Sequence, residues 1–150
     1  MKNWIDKFLE VSRDYFLKTD AEMQKELTKS KILDILLIED DDFIIEVVTE
    51  LINDLHPDLN INVRLTIAKN MTDILKILGE HKHFDYVLLD GYLENNDNTQ
   101  NISREISDKY FTISTSNDAN MQNEHMKNWT HLKIDKLNIY KFLNDLIHWN

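Results

Sequence analysis

The chain has 150 residues, of which 42% are apolar and 9% aromatic. That fills the core of one domain, or one domain with an appendage, and argues against a disordered chain. Cysteine is absent, which excludes a disulfide framework and a thiolate metal site. The formal net charge is −10, and residues 1–30 hold six basic and six acidic side chains, so the whole negative excess falls on residues 31–150. Such a surface repels phosphate backbones, so the expected partners are proteins, or a cation held by some of the carboxylates, with no nucleic acid.

Residues 3–17 place Trp4, Phe8, Val11 and Tyr15 on one helical stripe. Thr19 with Glu22 then matches a capping box, and a second helix is expected to about Lys29. This extension suits either packing on the domain behind it or a homodimer or partner contact. Both charge signs run through it, unlike a secretory signal, and no apolar run approaches the ~20 residues of a membrane span. A soluble, cytoplasmic protein without membrane contact is expected.

From Lys31 the rhythm changes to strand and helix in alternation. Strands are expected over 32–38, 61–68, 84–90, 109–115 and 130–135. Helices are expected over 42–55, 71–80, 102–107, from a cap at Asn117 or Asp118 to about Lys127, and over 138–149. Continuous apolar strands alternating with helices imply a parallel sheet covered on both faces, which is an α/β three-layer sandwich of five strands. We read one domain over 31–150 behind an N-terminal helical extension over 1–30.

In an open parallel sheet, sites form just past the carboxyl ends of the strands. The first strand ends on Glu39, Asp40, Asp41 and Asp42, the third on Asp90, the fourth among Ser114, Thr115 and Ser116, and the fifth near Lys133 to Lys136. Crowded carboxylates call for compensation, and a hard cation such as Mg²⁺ supplies it. An aspartate beside Mg²⁺ is a competent nucleophile toward phosphorus, with a lysine and a hydroxyl neutralising the transferred oxygens.

The stretches "ILLIEDDDF", "FDYVLLDGYL", "YFTISTS" and "IDKLNIYKFL" together resemble the receiver domain of two-component response regulators, over about 31–149. The resemblance implies strand order 2-1-3-4-5, with Mg²⁺ held by Glu39, Asp40, Asp90 and the backbone carbonyl of Tyr92. It implies Asp90 as the phosphoacceptor, Ser114 as the hydroxyl that bonds the phosphoryl group and Lys136 as its ion-pair partner. Thr115 and Lys133 are the alternatives to Ser114 and Lys136. The implied partners are a sensor histidine kinase or a histidine phosphotransfer protein, and a downstream protein target. Since the chain closes one residue past Trp149, output is expected as a protein contact on the face over about 117–149, and not as catalysis by the domain itself.

The sequence departs from the family pattern at Leu137 and Glu94, where prolines are usual, and at Lys133, where an aromatic is usual. The small residue expected after the hydroxyl is replaced by Thr115. These departures leave the phosphorylation chemistry in place and point to a rewired partner surface. The alternative is a pseudo-receiver that binds partners without phosphorylation. A Mg²⁺-dependent phosphohydrolase ranks last, because Tyr92 stands where its second acid would be. Asp41 and Asp42 read as helix-capping residues. His81 and His83 read as a solvated turn, Thr112 as packing, and His56, His125, His131 and His148 carry no phosphotransfer context.

Overall fold

The computed structural model describes residues 31–54 and 61–149. The expected helices of the extension lie outside the described residues. Five strands form one parallel sheet in the order β2-β1-β3-β4-β5. They are β1 (Lys31–Ile38), β2 (Ile61–Ala68), β3 (Tyr86–Leu89), β4 (Thr112–Ser114) and β5 (Leu132–Lys133). The helices between and after them are α1 (Asp42–Asn53), α2 (Met71–Gly79), α3 (Ser103–Lys109), α4 (Ala119–Lys127) and α5 (Ile139–Trp149). Strands two to five each come out within or beside their expected stretch. The third, fourth and fifth are shorter than expected; for the fourth, α3 runs on to Lys109 and takes up the start of the stretch.

Alternation along the two central strands builds two cores, one on each face of the sheet. Leu36 and Ile38 of β1 join Val87 and Leu89 of β3 and meet Ile74 and Leu78 of α2 and Ile106 of α3. Leu33, Ile35 and Leu37 join Leu88 and meet Val48 of α1 and Leu143 and Ile147 of α5. Every residue of β3 is buried, as a strand with helices over both faces must be. Edge strand β5 is exposed at both residues.

The helix starts obey local chemistry. Asp41 is the N-cap of α1, its side chain accepting from the Phe43 N–H at 2.9 Å, with Asp42 in the first turn. Asn70 caps α2 through the Asp73 N–H, and Asp118 caps α4 through the Met121 N–H. These caps fix where the loops after β1, β2 and β4 turn into their helices.

Candidate functional site

The winding direction reverses between β1 and β3, which lie side by side with Ile38 level with Leu89. The next residue on each strand is an acid, so Glu39 and Asp90 emerge together at the sheet's carboxyl edge. Backbone bonds hold them there: the Glu39 N–H donates to Ala68 and the Asp90 N–H to Ile38, at 3.0 and 2.9 Å. Both carboxyls are buried, Glu39 completely.

Lys136, in the turn Lys136–Asn138 after β5, reaches across to both acids. Its Nζ lies 3.1 Å from Glu39 Oε2 and 3.1 Å from Asp90 Oδ2. It hydrogen-bonds Glu39 Oε1 at 3.2 Å. The Gly91 N–H donates to Asp90 Oδ1 at 2.8 Å, and the Asp41 N–H to Glu39 Oε1 at 3.0 Å. Asp40 joins them: one oxygen from each of Glu39, Asp40 and Asp90 lies within 4.8 Å of the others. Lys133, the alternative to Lys136, is exposed on β5.

Glu39, Asp40, Asp90 and Lys136 together sum to −2 when all are ionised. Burial, and then the neighbouring Asp90, push the Glu39 carboxyl up to about 7. Burial also raises Asp90, against the pull of Lys136 and the Gly91 N–H. Burial by itself would lower Lys136, but Asp90 and Glu39 outweigh it and hold the ammonium above its ordinary value. Oε2 of Glu39 is ion-paired with Lys136, but this buried oxygen has no hydrogen-bond partner among the described residues. An orphaned acceptor among converging carboxylates fits a hard, oxygen-seeking divalent cation of the Mg²⁺ or Mn²⁺ type.

Two features of the edge were not evident beforehand. Gly91 does not adopt a left-handed conformation; it is needed for space. A Cβ there would lie 2.2 Å from Met121 Cγ and 2.8 Å from Ser116 Oγ, so α4 sits directly on this turn. The β4 hydroxyls also part ways. Ser114 is level with Leu89 and bonds the His125 ring, Oγ to Nδ1, at 2.7 Å. Thr115 comes next, beside Asp90, its N–H donating to the Leu89 carbonyl at 2.9 Å. Its buried Oγ1 has no hydrogen-bond partner among the described residues.

Tyr92 forms an isolated antiparallel pair with Asn98. The bonds that close it run from Leu93 N–H to Asp97 and from Thr99 N–H to Gly91, so the carbonyl of Tyr92 points off the other edge of this short ladder. His83 bonds Asp85 at 3.0 Å in an exposed turn, and His81 is exposed with φ 52°, both as expected of a solvated turn. Thr112 is buried and bonds the Tyr110 carbonyl, a packing role. His125 is the surprise: it is fully buried and takes part in the network behind the site. The sequence signal for it was weak but present, since Met121 and His125 are four apart on a mostly polar helix. Thr99, its other partner, lies in a polar loop that carried no signal.

At the level of sequence, neither a family model nor a curated protein matches this chain. Solved structures do match in shape. The phosphorylated cyanobacterial phytochrome response regulator RcpA is 16% identical, with a TM-score of 0.58 over 77% of this chain and 89% of its own. The signal receiver domain of an HD domain-containing protein from Pseudomonas fluorescens gives 16% identity and a TM-score of 0.62 over 77% and 83%. The Mn²⁺-bound form of response regulator Rcp1 gives 17% and 0.57 over 77% and 89%. The chain therefore has the doubly wound α/β fold of response-regulator receiver domains, the architecture expected from its sequence. No helix among the described residues is long and apolar enough to cross a membrane.

Proposed function

We propose that this chain is a response-regulator receiver that accepts a phosphoryl group on Asp90 from a phosphohistidine and signals through a protein contact. The observation that carries the reading is the junction of Glu39, Asp40 and Asp90 with Lys136, whose ammonium is 3.1 Å from both buried acids. Glu39, Asp40, Asp90 and the Tyr92 carbonyl would hold a divalent cation, for which Mg²⁺ is our choice. When bound, the cation supplies charge neutralisation to the phosphoryl oxygens.

The protein's own residues do the rest. The Asp90 carboxylate attacks phosphorus, an O–P bond forms as the N–P bond of the phosphohistidine breaks, and the departing imidazole keeps the electron pair and takes a proton. Lys136 offsets charge on the acceptor and the group it receives. The hydroxyl at the end of β4 bonds a phosphoryl oxygen. Register and the unpartnered Oγ1 favour Thr115 for that role over Ser114, whose hydroxyl is already held by His125. With Thr115 in the role, the residue after it is Ser116, small as the family pattern asks.

Exposed Met126 of α4, Trp129 in the following loop, Leu132 of β5 and Tyr140 of α5 provide apolar area for a protein target. A second reading, a receiver-fold binding module that no longer switches, is favoured by exposed Lys133 on β5 in place of an aromatic. A Phos-tag gel with acetyl phosphate and Mg²⁺ tests the first reading. A slower-migrating band is expected for wild type and not for Asp90→Asn. No shift in wild type, or an equal shift in both, sinks it. Target binding indifferent to Asp90→Ala supports the second.

A further inference from the structure

Helix α4 is a polar helix whose only buried side chains are Met121 and His125. His125 is fully buried between two hydroxyls: Ser114 Oγ is 2.7 Å from Nδ1 and Thr99 Oγ1 is 2.8 Å from Nε2. The same Thr99 oxygen lies 2.6 Å from the backbone carbonyl of Asp90, and the Thr99 N–H donates to the Gly91 carbonyl at 3.0 Å.

The direction of every proton in this chain follows. A carbonyl only accepts, so Thr99 spends its one hydroxyl hydrogen on Asp90, and its oxygen must accept from Nε2–H. Burial holds His125 neutral, its pKa lowered to about 4, so Nδ1 carries no hydrogen and accepts from Ser114. The order is Ser114 O–H to Nδ1, Nε2–H to Thr99, and Thr99 O–H to the Asp90 carbonyl. The Ser114–His125 distance also suits a nucleophile with its base. Both residues are at 0% exposure, however, so no substrate reaches them. Two more bonds tie the Thr99 loop to α4: Gln100 Nε2 to Glu124 at 3.3 Å and Asn128 Nδ2 to the Gln100 carbonyl at 2.8 Å.

We infer that Thr99 and His125 are positioning residues for the Asp90 site. His125, carried by α4, aligns Thr99. Thr99 in turn gathers the carbonyls of Asp90 and Gly91 to one side, so that the Tyr92 carbonyl is presented on the other. The seating of α4 and the geometry of the acceptor turn then change together, and a polar helix is kept in place by the site it reports on. This rests on the reading of Asp90 as a phosphoacceptor with a divalent cation.

The test compares wild type, Thr99→Val and Thr99→Ser in the full chain. Mg²⁺ alone and Mg²⁺ with beryllofluoride are the probes, followed by the Mg²⁺ dependence of phosphorylation by acetyl phosphate. Thr99→Val keeps the shape and loses the hydroxyl; we expect its half-saturating Mg²⁺ to rise about tenfold or more, as for loss of a residue that orients a ligand. Thr99→Ser should recover to within about twofold of wild type, since it restores the same two bonds. In ¹⁵N spectra of the wild-type imidazole, His125 should show the Nε2–H form, and Mg²⁺ with beryllofluoride should shift its resonances. That measurement decides the matter if Thr99→Val does not fold. Wild-type uptake of both probes with an equally competent Thr99→Val, or with static His125 resonances, overturns the inference alone. Wild type that takes up neither probe overturns the reading of Asp90 and this inference with it.

Discussion

Glu39→Gln isolates the electrostatic tension of the acid cluster. Glu39 is completely buried, and burial together with Asp90 pushes its carboxyl from 4.5 up to about 7. The folded protein therefore holds a proton between pH 4.5 and 7 that the unfolded chain has released. The sign follows: this group's contribution is fully present below pH 4.5 and is lost as pH rises through about 7. At about 1.4 kcal/mol per pH unit the loss is at most about 3.5 kcal/mol. Glutamine keeps the shape and never ionises. In chelator-treated protein, urea unfolding of wild type should show stability falling between pH 5 and 8 relative to Glu39→Gln, by up to that amount. Millimolar Mg²⁺ should offset the fall at pH 8 in wild type, by about 2.7 kcal/mol at a hundred times its dissociation constant, and much less in the variant. Parallel pH profiles for the two proteins without Mg²⁺ would refute the reasoning.

Two further outcomes follow from the helices around the site. Gly91→Ala places a Cβ 2.2 Å from Met121 Cγ, close to the α4 backbone, where little can give way. We expect about 1–3 kcal/mol of destabilisation by urea unfolding, and displaced α4 amide resonances; an unchanged midpoint would contradict the close packing. Asp118→Ala removes the α4 cap, whose side chain accepts from Met121 N–H at 2.8 Å. It should cost about 1 kcal/mol, with faster amide exchange at the start of α4, and equal exchange in both proteins would show the cap to be dispensable.

Much of the architecture was legible in the chain. The unbroken run Tyr86–Leu89 between polar stretches announced a strand buried on both faces, and β3 is that strand. The helix starts were readable to within a residue because Asp41, Asn70 and Asp118 bond backbone within three residues of themselves; between Asn117 and Asp118 the structure makes the choice. Strand ends were less readable: Phe84 and Phe111 have the composition of strand residues, yet they lie just before β3 and β4 and pack edge-on against the Tyr110 and Tyr86 rings.

The split at the site has the same cause. Acids in sequence order after β1 and β3 were visible because a parallel sheet places all its carboxyl ends on one edge, whatever the details. That Lys136 reaches both Glu39 and Asp90 depends on the path of the chain after β5, which local pattern does not encode. Ser114 and Thr115 are adjacent and both hydroxylic, so only the pairing of Leu89 with Ser114 decides which faces the network and which stands beside Asp90. His125 and Thr99 are 26 residues apart and meet only because α4 folds onto the acceptor turn. Short-range chemistry and hydrophobic period thus determined the elements and the acidic edge from the sequence alone. The buried relay behind the site exists only through contacts between segments distant in the chain, and those the tertiary structure alone decided.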